Sequence, residues 1–202
     1  MANIGLTNIW YGILTEGADG TPSYGGAKSF GKAISAKVDV STNDASLYAD
    51  DALAESDNSF QSAKVTLGVA DDDLSVFAEI LGHKVAESGG ELVRSADDAA
   101  PWIGLGRVVT KMVNNKKIYK GEFLYKVKFS EPSQENETKG DSLDFKTPEI
   151  EGTAATLANG DWSASQQFDT KEAAITWVKG KLTAKAGSAS TSVSHSGRES
   201  VG

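Results

Sequence analysis

The stretch IYKGEFLYKVKF, Ile118 to Phe129, decides the fold class of this chain. Its side chains alternate between a mainly aromatic set and a mainly charged set. The first set is Tyr119, Gly121, Phe123, Tyr125, Val127 and Phe129, and the second is Lys120, Glu122, Leu124, Lys126 and Lys128. A period of two predicts a long β-strand with one face against a core. Because the second set carries three lysines, we expect its face to contact water or a partner.

The same alternation occurs on both sides of an acidic connection and again near Pro148. It predicts strands over residues 32–42 and 60–70 and a third, short strand. The alternating apolar residues are Ile34, Ala36, Val38 and Val40 in the first strand, Val65, Leu67 and Val69 in the second, and Leu143 and Phe145 in the third.

Two segments have the apolar spacing of amphipathic helices. The first follows three aspartates, with Asp71 as the predicted N-cap, and ends at Gly82. The second begins at Asp169, with Glu172 in position for a capping box. The predicted buried positions are Leu74, Phe77, Ala78 and Leu81 in the first helix and Ala174, Trp177, Val178 and Leu182 in the second. A one-sided sheet with a packed helix predicts an α+β, mainly β, sandwich or barrel-like domain.

Composition limits the possible functions. The chain of 202 residues has no cysteine, which excludes disulfides, thiolate nucleophiles and cysteine-bound zinc. The two histidines, His83 and His195, lie in unrelated contexts, so we expect no metal, no cofactor and no catalytic histidine. No apolar run approaches the roughly 18 residues of a membrane span, and the N-terminus lacks a signal-peptide pattern. We expect one domain over residues 1–184, a Gly/Ser-rich tail over 185–202, and synthesis in the cytoplasm.

Charge is distributed unevenly along the chain, whose formal net charge is -8. Residues 1–100 hold 6 basic and 16 acidic residues, whereas residues 101–202 hold 14 and 12. Opposite charges of this kind either attract one copy of the chain to another or form two solvated faces. Tight nucleic-acid binding is disfavoured by the overall negative charge. The candidate basic contact surface is Arg107, Lys111, Lys116, Lys117, Lys120, Lys126 and Lys128.

The acidic connection between the first two predicted strands, residues 43–59, is much longer than the usual hairpin turn of two to five residues. A calcium loop would need a glycine at its sharp turn and ligands at alternate positions, but Asp50 and Asp51 are adjacent and no glycine is present. A glycosidase would need two carboxylates across a sugar cleft, and nothing in the sequence identifies such a cleft.

A contact surface is the remaining interpretation of this connection. Large apolar side chains among carboxylates are suited to docking on a neighbouring molecule. The alternative is that Leu47 and Phe60 fold back on the core of their own domain. The candidate inter-subunit residues are Asp44, Leu47, Tyr48, Asp50, Asp51, Leu53, Glu55, Asp57 and Phe60.

Several short stretches resemble the major tail proteins, or tail tube proteins, of long non-contractile-tailed bacteriophages, and they follow the order of that family from about residue 5 to 182. The most specific are the SLYADDALAES loop and Leu81-Gly82-His83. The others are Gly5-Leu6-Thr7-Asn8, Tyr24-Gly25, Val65-Thr66-Leu67, Asp98-Ala99-Ala100-Pro101, Thr138-Lys139-Gly140-Asp141, Thr147-Pro148 and Glu151-Gly152-Thr153.

The resemblance implies a β-sandwich or split-barrel domain with one flanking helix and a long hairpin loop. It implies a structural, non-enzymatic subunit of the virion tail, assembled in the host bacterial cytoplasm. Six copies would form a ring, and stacked rings would form the tube through which DNA is ejected. The implied partners are other copies of the chain and the tape-measure, tail terminator and distal tail proteins, with DNA only in transit and no membrane.

Two alternatives to this hypothesis remain. A β-sandwich binding module, either an adhesin or a carbohydrate-binding domain, would use Trp10, Trp102 or Trp162 as a stacking platform. A carboxylate-dependent hydrolase is the third interpretation and has the least support in the sequence.

Overall fold

The computed structural model describes residues 2–43, 45–49, 52–70, 73–85, 90–113, 115–132 and 149–183. The strands are β1 (Ala2–Glu16), β2 (Pro22–Tyr24), β3 (Lys28–Ser29), β4 (Ala33–Thr42), β5 (Ala45–Ala49), β6 (Ala52–Asp57), β7 (Phe60–Val69), β8 (Lys84–Val85), β9 (Leu92–Val93), β10 (Ile103–Val113), β11 (Lys116–Phe129), β12 (Glu149–Ala154) and β13 (Ser163–Phe168). The helices are α1 (Leu74–Leu81) and α2 (Lys171–Thr183). The predicted class, α+β and mainly β, is confirmed.

The described residues form two helices, α1 and α2, where the resemblance implied one on the flank. The predicted strands at 32–42, 60–70 and 118–129 correspond to β4, β7 and β11 within two residues at each end. The predicted strand at Leu143 and Phe145 and the predicted tail at 185–202 lie outside the described residues. Neither α1 nor α2, the helices of the described ranges, has the length and apolar character needed to cross a membrane.

A nine-stranded antiparallel sheet forms most of the molecule. Its main path runs β2-β1-β10-β11-β12-β7-β4, with β3 also paired to β1 and β13 also paired to β11. The sheet is not closed into a barrel. It curls so that β4 lies against β1, and across this seam the Arg107 Nη1 of β10 donates to the Ala36 carbonyl oxygen of β4 at 3.0 Å.

Apolar side chains fill both sides of the sheet. The inner core lies inside the curl, and α1 packs into it. Its buried members are Ile9, Tyr11, Phe30, Ala63, Val65, Leu67, Val69, Phe77, Ile80, Leu81, Ile103, Leu105, Leu124, Val127, Phe129, Ile150 and Ala154. The outer core lies between the sheet and α2. Its buried members are Trp10, Val108, Phe123, Ala174, Val178 and Leu182.

A β-bulge in β11 changes which residues share a face. Ile103 pairs with Val127 but Leu105 pairs with Leu124, so two steps along β10 match three along β11. The extra residue reverses the alternation. Phe123 and Tyr125 therefore pack in the outer core, whereas Val127 and Phe129 reach the inner core.

Two predictions about β11 are consequently wrong. Its aromatic residues do not share one face, because the bulge divides them between two cores. Its second set does not form one face toward water or a partner, because Leu124 is buried in the inner core and Lys120 is paired with Glu122. The period of two was correct locally but did not continue through the bulge.

Helix α1 begins and ends at residues with clear capping roles. Asp73, rather than the predicted Asp71, is its N-cap, since the Asp73 carboxylate accepts from the Ser75 backbone N–H at 2.9 Å. Gly82 ends the helix with φ 78°, as predicted. Ile80 is buried in the inner core, but Leu74 is 45% exposed and its predicted burial is wrong.

Helix α2 covers the outer face of the sheet through Ala174, Val178 and Leu182, which are all buried as predicted. Trp177 is half-buried, with its ring 6.0 Å from that of Phe168. The Thr170 side chain accepts from the Ala173 N–H at 3.3 Å, so the cap is one residue after the predicted Asp169. The helix closes the outer core and attaches the C-terminal part of the domain to β10 and β11.

Candidate functional site

The hairpin arm, within the connection 43–59, is built from β5 and β6 and continues the pair β4 and β7. Thr42 pairs with Phe60, and next to them the Asn43 backbone N–H donates to the Ser59 carbonyl at 2.8 Å. Strands β5 and β6 then pair from Ala45 opposite Asp57 to Ala49 opposite Ala52. Among the described strands, β5 and β6 pair only with each other. The connection predicted from sequence as a long hairpin loop therefore contains two paired strands, with one register shift between Leu47 and Tyr48.

The candidate inter-subunit residues fall into three groups: those outside the described residues, those on β5 and β6, and Phe60. Asp44, Asp50 and Asp51 lie outside the described residues. Leu47, Tyr48, Leu53, Glu55 and Asp57 lie on β5 and β6.

Phe60 belongs to the body of the domain rather than to the arm. It begins β7, and its ring stacks on Trp162 with the centroids 4.3 Å apart and the planes at 8°. This is the arrangement expected for Phe60 if it folds back on its own domain.

The seven candidate basic residues do not form one surface. Lys116 pairs with Asp169 at 3.3 Å, and Lys117 lies opposite Met112 in the register. Beyond the bulge, the ammonium groups of Lys126 and Lys128 lie 5.0 and 5.7 Å from the centroid of the Trp102 ring. Arg107, Lys111 and Lys120 remain, and these three line adjoining parts of one cleft.

This charged cleft consists of Arg107, Lys111, Lys120 and Glu122. The Arg107 Nε and Nη2 atoms both lie 2.7 Å from the Glu122 Oε2, and the Lys120 Nζ lies 2.7 Å from the Oε1. Register explains the first contact, because Arg107 of β10 lies directly opposite Glu122 of β11. One carboxylate thus holds two cations at the seam of the curled sheet.

Sequence reasoning did not select Glu122 as a site residue. The available signal was that Glu122 is the sole acidic residue among the basic residues of 107–128. Strand pairing was needed to identify its partner.

Glu122 is held in its ionised form. Burial acts to raise the pKa of its carboxyl group, but the charges and hydrogen bonds of Arg107 and Lys120 outweigh burial and lower that pKa below its usual value. The group therefore stabilises the fold above the pKa of an unfolded glutamate, about 4.3, and this contribution is lost as the pH falls through the lower folded-state pKa.

We expect Glu122→Gln to make stability less sensitive to acid. The wild type should lose more thermal stability between about pH 5 and pH 3 than the variant, because only the wild type must protonate a carboxylate held by two cations. Thermal unfolding followed by circular dichroism at several pH values measures this difference. Glu149→Gln, on the exposed end of β12, controls for the loss of one carboxylate. Equal acid sensitivity of wild type and Glu122→Gln would contradict the assignment.

His83 joins three segments at the C-terminal end of α1. Its Nδ1 lies 2.8 Å from Asp98 Oδ2, and its Nε2 lies against the Glu131 carboxylate without hydrogen-bond geometry. The Ser95 backbone N–H and His83 lower the pKa of Asp98. Among the residues that the structure describes, no three His, Asp or Glu side chains are grouped as metal ligands. The contact between His83 and Asp98 holds the end of α1 to the segment 95–98.

Comparison of the chain with protein-family models and with curated proteins gives no match. Inference about function therefore depends on the hairpin arm, the sheet edge and the charged cleft.

Proposed function

We propose that the protein is a structural subunit that assembles with copies of itself into stacked hexameric rings, the tail tube of a long non-contractile-tailed bacteriophage. The observation that carries this proposal is the hairpin arm. The connection between β4 and β7 spans 17 residues, 43–59. Its two strands, β5 and β6, pair with no other described strand. A hairpin whose strands pair with no other described strand has backbone edges to which a neighbouring chain can add.

Strand β4 supports the proposal as a long edge of the sheet. It has ten residues and is hydrogen-bonded along one side to β7. Near its ends, Ile34 and Val40 are 55% and 49% exposed. An edge strand with exposed apolar side chains is a site where another chain can add. Edge-to-edge joining in a ring would protect this strand.

Charge also supports assembly. The arm contains five carboxylates and no basic residue, so it suits a positively charged surface on another copy. A ring and a stack require two different contacts from one chain, one closed and one open-ended. The net charge of -8 is compatible with a wall along which DNA slides without tight phosphate binding.

Under this proposal the protein is located in the virion tail after assembly in the host bacterial cytoplasm. Its partners are other copies of the chain, the tape-measure protein, the tail terminator and the distal tail protein. DNA contacts the subunit only during passage through the lumen, and no catalysis is involved.

Removal of the arm tests the proposal. We expect replacement of residues 44–58 by Asn-Gly to leave a folded domain that forms no tubes, because a two-residue turn can connect the paired residues Asn43 and Ser59. Negative-stain electron microscopy detects tubes, and thermal unfolding tests the fold.

A second variant distinguishes the shape of the arm from its charge. It keeps the arm but changes its five carboxylates to amides, at Asp44, Asp50, Asp51, Glu55 and Asp57. Tubes from the armless protein, or a wild type that stays monomeric at every salt concentration and protein concentration, would refute the proposal.

The alternative function, a binding module, has less support than the tail tube, because the three tryptophans proposed as its stacking platform are largely covered. Trp10 is 5% exposed, Trp162 is stacked on Phe60, and two lysines lie over Trp102. Trp10 and Trp102 therefore offer no open aromatic face to solvent, and Phe60 covers one face of Trp162.

A further inference from the structure

An apolar cavity of about 170 Å³ lies inside the curled sheet, behind the charged cleft. Four of its lining residues, Ile9, Val65, Leu67 and Leu105, are buried members of the inner core. Val38 of β4 and Trp162 also line it. A protein cavity of roughly 150 Å³ can hold a benzene-sized molecule. This cavity therefore has room for an aromatic ring or a short alkyl chain.

The same cavity is lined by Arg107, Lys120 and Glu122, which together carry a net charge of +1. A second space of about 330 Å³ adjoins the cleft at the seam between β1 and β4, and Lys111 adds a further positive charge there. This is a local concentration of positive charge in an anionic chain. It favours an anionic ligand over a neutral one and disfavours a cationic one.

The hydrogen-bond donors of the cleft are only partly used. An arginine has five N–H donors and a lysine has three. Arg107 directs Nε and Nη2 to Glu122 and Nη1 to Ala36, while Lys120 directs Nζ to Glu122. Within the described part of the chain this leaves two guanidinium and two ammonium N–H groups without a protein acceptor. Both oxygens of Glu122 already accept, so Glu122 does not use these donors.

We propose that the cleft is a binding site for a small organic carboxylate with an apolar body. The body fills the cavity against Leu105 and Trp162, and the carboxylate binds the remaining donors of Arg107 and Lys120. Ligand pockets commonly combine mainly apolar walls with a few polar groups that orient the ligand. Guanidinium and ammonium groups form their stronger hydrogen bonds with carboxylates. This site is independent of the arm and of tube formation.

The test uses the full chain and three probes of the same shape: 3-phenylpropionate, 3-phenylpropanamide and 2-phenylethylamine. Titration followed by two-dimensional amide NMR reports both affinity and location. We expect the carboxylate to bind at least about tenfold more tightly than the amide, because charge-assisted hydrogen bonds are about twice as strong as neutral ones. The shifted signals should include Leu105, Lys120 and the Trp162 indole N–H. The amine should not bind.

Two substitutions test the two parts of the site separately. Lys120→Met removes one cation while keeping an unbranched apolar side chain, and we expect it to weaken 3-phenylpropionate binding about tenfold. Val38→Trp fills the cavity, and we expect it to abolish binding of both 3-phenylpropionate and 3-phenylpropanamide. Lys64→Met is the matched control, because Lys64 pairs with Glu151 at an exposed position of β7, and it should bind like wild type. If Val38→Trp does not fold, the comparison of Lys120→Met with Lys64→Met still tests whether the charge of Lys120 contributes to binding.

Three results would overturn the proposal. Equal affinity for 3-phenylpropionate and 3-phenylpropanamide would mean that Arg107 and Lys120 take no part in binding. Shifts scattered over the surface would mean that binding is adventitious. If an acidic peptide of residues 43–59 shifts the cleft signals and 3-phenylpropionate does not, the cleft belongs to an acidic segment of a second copy.

Discussion

Phe123→Ala is expected to lower the free energy of unfolding by about 4 kcal/mol. Phe123 has 0% exposure and occupies the centre of the outer core under α2. Its ring meets those of Tyr24 and Tyr125 edge to face, with centroids 5.5 and 5.3 Å apart. Truncation removes these contacts and leaves a cavity that the rigid strands β10 and β11 cannot fill. Urea denaturation followed by circular dichroism measures the loss.

Phe168→Ala is the matched control for this substitution. Phe168 is also an aromatic residue near α2, but it is half-buried at the end of β13 and packs mainly on Trp177. We expect a smaller loss, because water can enter the space that the ring leaves. Equal losses for the two variants would contradict the central position of Phe123 in the outer core.

Gly82→Ala is expected to destabilise the domain by about 3 kcal/mol. Gly82 ends α1 with φ 78°, a left-handed conformation that is unfavourable for alanine. A Cβ atom at this position would also lie 2.3 Å from the carbonyl oxygen of Ala99. That oxygen belongs to the backbone of a segment attached through His83 and Asp98, so it cannot move without disturbing this cluster. Thermal and urea unfolding measure the effect.

Gly160→Ala separates the two causes. Gly160 has φ 88°, but no atom lies within 4 Å of the position of an added Cβ. Only the conformational cost of about 1 kcal/mol should therefore remain. If Gly82→Ala lowered the free energy of unfolding no more than Gly160→Ala, the close contact between the end of α1 and Ala99 would be contradicted.

Local patterns in the sequence were sufficient to predict the strands and the buried face of α2. Period-two alternation predicts β4, β7 and β11, because a strand between a core and a polar environment needs such alternation wherever it is regular. Ala174, Val178 and Leu182 recur every four residues, which places them on one side of a helix. The positive φ of Gly82 was similarly predictable from a glycine at the end of an apolar helical pattern.

The cap positions were less predictable. Three consecutive aspartates precede α1, and each has a side chain able to cap a helix. The choice of Asp73 depends on where the first turn can begin while Phe77 and Leu81 reach the inner core. A difference of one or two residues at a helix end is small in energy, so local sequence does not specify it.

The hairpin in the arm and the contacts of the charged cleft were not predictable from sequence, for different reasons. Alternation in residues 45–57 is weak, so β5 and β6 were not predicted as strands. Arg107 and Glu122 are fifteen residues apart, and their contact requires the β10 and β11 register. The Ala36 carbonyl that Arg107 also binds lies 71 residues away, across the seam of the curled sheet.

The amino-acid sequence alone was sufficient to predict the fold class, the main strands and the apolar side of the helices, since each of these depends on residues a few positions apart. The division of β11 between two cores, the pairing of Glu122 with two cations and the cavity behind them came from the fold. One extra residue in β11 reverses every later side chain without changing the local pattern. Such a reversal is set by the packing of whole strands against each other, which no short segment encodes.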